Sequence, residues 1–245
     1  MHLGLVLATT KRVLRQLSHD KRTLGLLFAV PIVLLGLLAW MYSDNDVMFD
    51  FIGPPLLGIF PFITMFLVTS ITMQRERTGG TLERLLATRI GKLDILLGYA
   101  KAFGLLAIMQ ALLASLAAVY LYGLDVAGPL WALLAIALCD ALLGAALGLF
   151  ASAFARSEFQ AVQFMPAIIL PQLLLCGLLV PVSQLPDVLH VAANALPLTY
   201  AVEAMSLVAK HASLPNEFYQ DVAVVLGFAT VSIMLGAATL RRRSK

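Results

Sequence analysis

Six long stretches nearly free of charge dominate this sequence. They cover residues 24–42, 51–73, 102–124, 126–155, 159–186 and 222–240, and Asp140 is the single charge inside any of them. Crossing the hydrocarbon core of a bilayer takes about 20 mostly apolar residues, because each backbone group left unpaired in lipid costs several kcal/mol. Each stretch reaches or nearly reaches that length. Of the 245 residues only 13% are charged, against roughly 25% in a soluble globular chain. A soluble enzyme, a disordered regulator and a disulfide-framework or collagen-like protein are therefore excluded. The expected fold is all-α and membrane-embedded, a single transmembrane unit with spans at 24–42, 51–73, 95–124, 128–155, 159–181 and 222–240. The apolar piece at 188–202 is too short to cross and holds Asn194 and Pro197. It reads as a re-entrant or interfacial element, placed at 183–205.

The cations fix an expected orientation. Of 17 Lys and Arg residues, 16 fall before the first span, between spans two and three or, as Lys101, just inside the third, after span four or in the tail. The alternate connections hold Lys210 against Asp44, Asp46, Asp50, Asp125, Asp187, Glu217 and Asp221. Positive residues stay on the cytoplasmic side, so both termini are expected there. The basic pI of about 9.0 is then a topology signal, and no nucleic-acid partner is needed to explain it.

Residues 1–23 do not read as a cleaved signal, because the stretch carries Asp20 and no small-x-small site ends the first span. Leu3, Val6, Leu7, Val13, Leu14 and Leu17 fall at helical spacing, with Lys11, Arg12, Arg15 and Arg22 mostly opposite. That pattern predicts a basic amphipathic helix lying along the headgroups, or an ordinary solvated juxtamembrane helix.

Catalytic and cofactor signatures are missing. There is no His-Glu-x-x-His, Gly-x-Ser-x-Gly or Cys-x-x-Cys, and His2, His19, His190 and His211 lack ligand spacing. Gly91-Lys92 lacks the upstream glycine and the following Ser or Thr of a phosphate-binding loop. Cys139 and Cys176 lie in apolar spans and imply neither a disulfide nor a metal. The chain is expected to bind no cofactor and to catalyse no reaction itself. Any nucleotide energy must come from another chain.

One span carries an acid. Asp140 shares a helix face with Gly144, Gly148 and Ser152, so the acid and a small-residue packing stripe point the same way, toward protein or a polar cavity. It is either a buried structural acid or a group that handles substrate or protons. In the connection at 75–89, Gly79-Gly80 breaks the chain and Thr81 can cap a short helix bearing Leu82, Leu85 and Leu86. An apolar stripe in a charged surround suits docking into a partner's groove, and equally an ordinary surface helix.

The residues Arg75, Glu76, Arg77, Gly80, Thr81, Leu82, Glu83, Leu85, Leu86 and Thr88 resemble the cytoplasmic loop of ABC-2 type exporter permeases, a family of drug, lipid and polysaccharide exporters. Thr78 and Arg89 depart from its usual Glu and Pro. The segments Leu179-Val-Pro-Val-Ser-Gln-Leu-Pro and Ala195-Leu-Pro-Leu-Thr-Tyr-Ala-Val-Glu-Ala look like the family's extracytoplasmic re-entrant helices. The start, Asp20-Lys-Arg-Thr-Leu running into Val30-Pro31, is similar as well. The resemblance implies a permease half that pairs with an identical or paralogous half and docks on a cytoplasmic ATP-binding-cassette subunit, which holds the ATP and Mg. It implies that Arg75, Glu76, Arg77 and Glu83 form a polar latch and Leu82, Leu85 and Leu86 the docking stripe. It also implies that spans two and five border the translocation path. Gln172, beside Pro166 and Pro171, is then a candidate lining residue or part of a kinked packing helix. Glu203 is an outward gate, a helix cap or a headgroup contact. The aromatic spans, with Phe60, Phe62 and Phe66, suit a hydrophobic drug-like or lipid-like substrate in the cell membrane better than a glycan. From other classes, an intramembrane enzyme or an immunity protein would fit the composition, but the former needs two polar groups at one depth.

Overall fold

A computed structural model describes residues 3–86 and 91–239, apart from the side chains of residues 82, 83, 86, 92, 93, 96 and 237. The apolar runs become helices, as lipid requires. The chain forms α1 (Leu3–His19), α2 (Lys21–Met41), α3 (Asp46–Thr78), α4 (Thr81–Leu86), α5 (Lys92–Leu116) with a π-helical continuation at Ala117–Leu121, α6 (Leu130–Ala151), α7 (Glu158–Leu175), α8 (Asp187–Asn194), α9 (Pro197–Lys210) and α10 (Asn216–Ala238). Among the described residues there are no strands, and six helices are long and apolar enough to cross a membrane. The protein is an all-helical, multi-pass membrane protein.

Bounds differ from the uncharged runs where caps and glycines intervene. The second span extends at both ends, since Asn45 accepts from the Met48 amide at its start and charged turns continue it to Thr78. Arg75, Glu76 and Arg77 are therefore helical rather than part of a loop. The fifth span is shorter than 159–181: α7 stops at Leu175, before Gly177 at φ +90°. Gly80, at φ +69°, takes the cap position that the sequence suggested for Thr81, its carbonyl accepting from the Arg84 amide, and Thr81 is the first residue of α4.

The stripe on α6 sets the centre of the bundle. Helices α3 and α6 make the most extensive pairing in the molecule, and they run parallel. Asp140 faces Gly58, Gly144 faces the Phe62 carbonyl and Gly148 faces the Phe66 carbonyl, with four residues between steps on both helices. A Cβ added at Gly144 or Gly148 would overlap those carbonyl oxygens. Small residues thus let two backbones touch, which is how dispersion holds helices together where lipid removes the hydrophobic driving force. Helices α5 and α10 pack on α6, and α2, α7 and α9 pack on α3.

The segment expected to be re-entrant is a helix pair, α8 and α9, bent by 85°. Its residues explain the corner. Pro197 begins α9, where a missing amide costs nothing. Thr199 and Tyr200 then donate their hydroxyls back to the carbonyls of Ala193 and Asn194, at 2.8 and 2.7 Å, capping the end of α8. The far end of α9 is closed by the amides of Ala127 and Gly128, which reach the carbonyls of Ala209 and Val208.

Replacing Gly148 by Val should lower the melting temperature in detergent steeply, the overpacking costing about 1–3 kcal/mol or more because it strikes backbone. Gly227→Ala, with open space around its added Cβ, should leave the melting temperature unchanged or slightly raised.

Candidate functional site

The basic ends of five helices meet in a polar seam. Helix α1 lies on the first turns of α5: Thr10 donates its hydroxyl to the Val6 and Gly98 carbonyls, at 2.9 and 3.1 Å, and Gly98 admits the Thr9 side chain. Val6, Val13 and Leu17 are buried as their spacing predicts, whereas Leu3 and Leu7 are exposed. The helix is therefore docked on protein along Val6, Thr9, Thr10, Val13 and Leu17. Arg12, assigned by sequence to the polar side, turns inward. It donates to both Glu76 oxygens, at 3.2 and 3.3 Å, and to the Tyr99 hydroxyl, and its guanidinium lies 5.5 Å from the Tyr99 ring centre.

Glu76 is only 2% exposed. Its burial follows from the row Met65, Thr69, Thr72, Glu76 on α3, three or four residues apart and buried throughout. A carboxylate there requires a partner, and Arg12 supplies it. Burial opposes the Arg12 charge, but Tyr99 and Glu76 more than offset this and hold its pKa above the usual value. One residue earlier, Arg75 faces outward and bridges two other helices. It contacts Asp20 at 3.5 Å and Glu158 at 3.0 Å, where Asp20 caps α2 and Glu158 opens α7. The Thr23 hydroxyl and amide hold the Asp20 carboxyl below the usual range, Arg75 adding to the effect. Arg77 is partly buried, with Nε and Nη2 unpaired among the described residues.

These contacts place the sequence candidates. Glu76 is an internal anchor, Arg75 a surface bridge, and Gly80 the joint before α4. Leu85 packs partly against the core shared by α1, α3 and α5. The side chains of Leu82, Glu83 and Leu86, with Thr88 and Arg89, lie outside the described residues. Arg12, Tyr99 and Glu158 were not singled out from sequence. For Arg12 the usable signal was its place one residue from Val13 and three from Thr9, at the edge of the buried stripe.

The intramembrane candidates separate. Asp140 is buried against α3 and α9, its Oδ2 2.8 Å from where a Gly58 Cβ would stand, with Met205 beside it. Neither of its oxygens has a hydrogen-bond partner among the described residues. Gln172 is buried and donates to the Ile168 carbonyl of its own helix, at 3.0 Å. Glu203 is exposed on α9. Along α2, α3 and α7 runs an apolar groove of about 450 Å³, walled by Leu26, Leu27, Val30, Ile63, Leu67, Met165 and their neighbours, with Arg75 at one end.

Comparison with known proteins places these features in a family. The family model described as "ABC-2 type transporter" matches residues 4–208. "ABC transporter G family member 20" of Dictyostelium discoideum is 27% identical over 205 residues, covering 83% of this chain and 28% of that protein. "Probable multidrug ABC transporter permease YbhS" of Escherichia coli is 27% identical over 194 residues, covering 79% of this chain and 52% of the relative. "Probable multidrug ABC transporter permease YbhR" of the same bacterium is 28% identical over 136 residues, 56% of this chain and 37% of the relative. The chain thus spans about half of the length of YbhS and less of the others.

Breaking the inner pair should cost far more than breaking the outer one. Arg12→Ala leaves a buried carboxylate uncompensated and should remove about 3 kcal/mol or more. Arg75→Ala, whose partners are open to solvent, should remove less than about 1 kcal/mol. Melting of the two variants in detergent gives the comparison.

Proposed function

This chain belongs to the ABC-2 type transporter family, and from that premise we propose that it is the permease subunit of an ATP-binding-cassette exporter. It sits in the cell membrane with both termini and the basic seam in the cytoplasm, pairs with a second permease half, and takes its energy from a separate ATPase. The charge distribution supports the orientation. The names of the bacterial relatives, "probable multidrug" permeases, together with the apolar groove along α2 and α3, support a hydrophobic, drug-like or lipid-like substrate.

The observation that carries the reading is the seam behind α4. The ATPase docks on α4 and the residues that follow it. From there Gly79 and Gly80 pass the motion to α3, and Glu76 with Arg12 and Tyr99 passes it to α1 and α5. Arg75 passes it to α2 and α7 through Asp20 and Glu158. Glu76 and Arg75 thus transmit within the chain, and Glu83, Leu82 and Leu86 meet the ATPase. Helices α3 and α7 border the path, with Gln172 near its wall.

Glu83→Lys should abolish most export while the chain remains in the membrane and the ATPase still turns over. Unchanged export by a normally inserted variant would remove Glu83 from the docking surface. An ATPase that never co-purifies with the chain in mild detergent would overturn the reading as a whole.

A further inference from the structure

Pro31 in α2 leaves a backbone carbonyl without its helical amide, and a side chain from another helix covers it. Pro31 lies in the middle of α2. In an α-helix the carbonyl of residue 27 accepts from the amide of residue 31, and proline has none. In lipid such a carbonyl must find another donor. It finds Gln110 of α5, whose Nε2 donates to the Leu27 carbonyl at 2.8 Å. The same nitrogen donates to the Thr64 hydroxyl of α3, and Thr64 in turn donates to the carbonyls of Phe60 and Pro61 at 3.0 and 3.1 Å. Gln110 is 1% exposed, so one side-chain amide at the centre of the bundle joins three helices.

A second tie sits on the other side of the proline. Tyr122 donates its hydroxyl to the Ile32 carbonyl at 3.0 Å, and its ring lies against Gly36, where a Cβ would stand 2.8 Å from the hydroxyl oxygen. The π-helical turn at Ala117–Leu121 immediately precedes it. Side chains from α5 and its continuation therefore hold the Leu27 and Ile32 carbonyls, one before Pro31 and one just after it. Apolar packing contributes less here than in the central pair, since only 17% of the α2 span is buried, against 61% and 67% for α3 and α6.

Leu27 and Thr64, the two acceptors of Gln110, both belong to the wall of the apolar groove between α2 and α3. We propose that Gln110 is a positioning residue which, by occupying the carbonyl that Pro31 frees, holds α2 against α3 and thereby sets the width of that groove. That the groove carries substrate rests on the functional reading above. The position of α2 does not.

The test is a double substitution read by distance. Spin labels on cysteines replacing Leu37 of α2 and Leu113 of α5, both exposed, are placed in the full chain with Cys139 and Cys176 replaced by Ala, reconstituted in vesicles without any transported compound. The parent should give one narrow distance population. Gln110→Leu, which keeps the volume and removes the amide, should give a broader population displaced to longer distance. Pro31→Ala restores an amide at residue 31, so the Leu27 carbonyl regains its own helical partner. The combination Pro31→Ala with Gln110→Leu should therefore return the narrow population. A general loss of packing at Gln110 would not be rescued by removing a proline. If Gln110→Leu leaves the distribution unchanged, or if the combination stays as broad as the single variant, the proposal is overturned. Should the combination fail to insert, Gln110→Met alone decides: displacement supports the proposal, and a parent-like distribution overturns it. Because no compound is present, failure here leaves the exporter reading standing, and failure of that reading leaves this result intact.

Discussion

The close approach of α3 and α6 is the contact on which the bundle is built. Two helices in lipid gain nothing from burying apolar surface, so their association depends on how near the backbones can come. Gly144 and Gly148 bring the axis of α6 up to the carbonyls of Phe62 and Phe66, and Gly58 leaves room for Asp140 at the next step. Every other span then attaches to at least one member of this pair. The central helices are mostly buried, while α2 and α7 are mostly open. Helices packed on most sides and helices left mostly open are thereby separated within one chain.

Polar groups follow the same division. At the basic end, charges are paired across helices: Arg12 with Glu76 inside, and Arg75 with Asp20 and Glu158 outside. Within the bundle, polar side chains mainly serve the backbone. Gln110 and Tyr122 cover carbonyls of α2, Gln172 donates to its own helix, and Thr199 and Tyr200 close the corner between α8 and α9. Asp140 does not: it is a buried acid whose oxygens accept no hydrogen bond among the described residues, where the buried hydroxyls of Thr69, Ser70 and Ser115 also lack a partner. The chain retains it at the central helix pair despite the cost of placing an ionisable group there.

Much of this was legible in the sequence, and the reasons differ from element to element. The six spans were readable because lipid tolerates no long polar run. The alignment of Asp140 with Gly144 and Gly148 was readable because helical spacing alone places residues four apart on one face. The broken pair at α8 and α9 was foreshadowed by Asn194 and Pro197. Helix ends were less legible: α3 continues through Arg75 to Thr78 because charged side chains in its last turns find partners on neighbouring helices, which hydropathy cannot register. Arg12 looked like a solvated cation until folding brought Glu76 beside it, 64 residues away. Gln110 carried no local signal at all. Its partner carbonyl exists only because of a proline on a different helix.

The length of α3 has a consequence of its own. Its 33 residues at 1.5 Å each measure about 50 Å along the helix, against a hydrocarbon layer about 30 Å thick. The surplus, about 20 Å by the same arithmetic, lets one helix carry its glycine-matched contacts inside the bilayer and its charged turns in the headgroup layer. Tilting a helix of that length as one body by about 10° displaces one end by about 9 Å relative to the other. A small rotation imposed where Arg75 and Glu76 lie would therefore reach the opposite membrane face as a movement comparable to the distance between two packed helices.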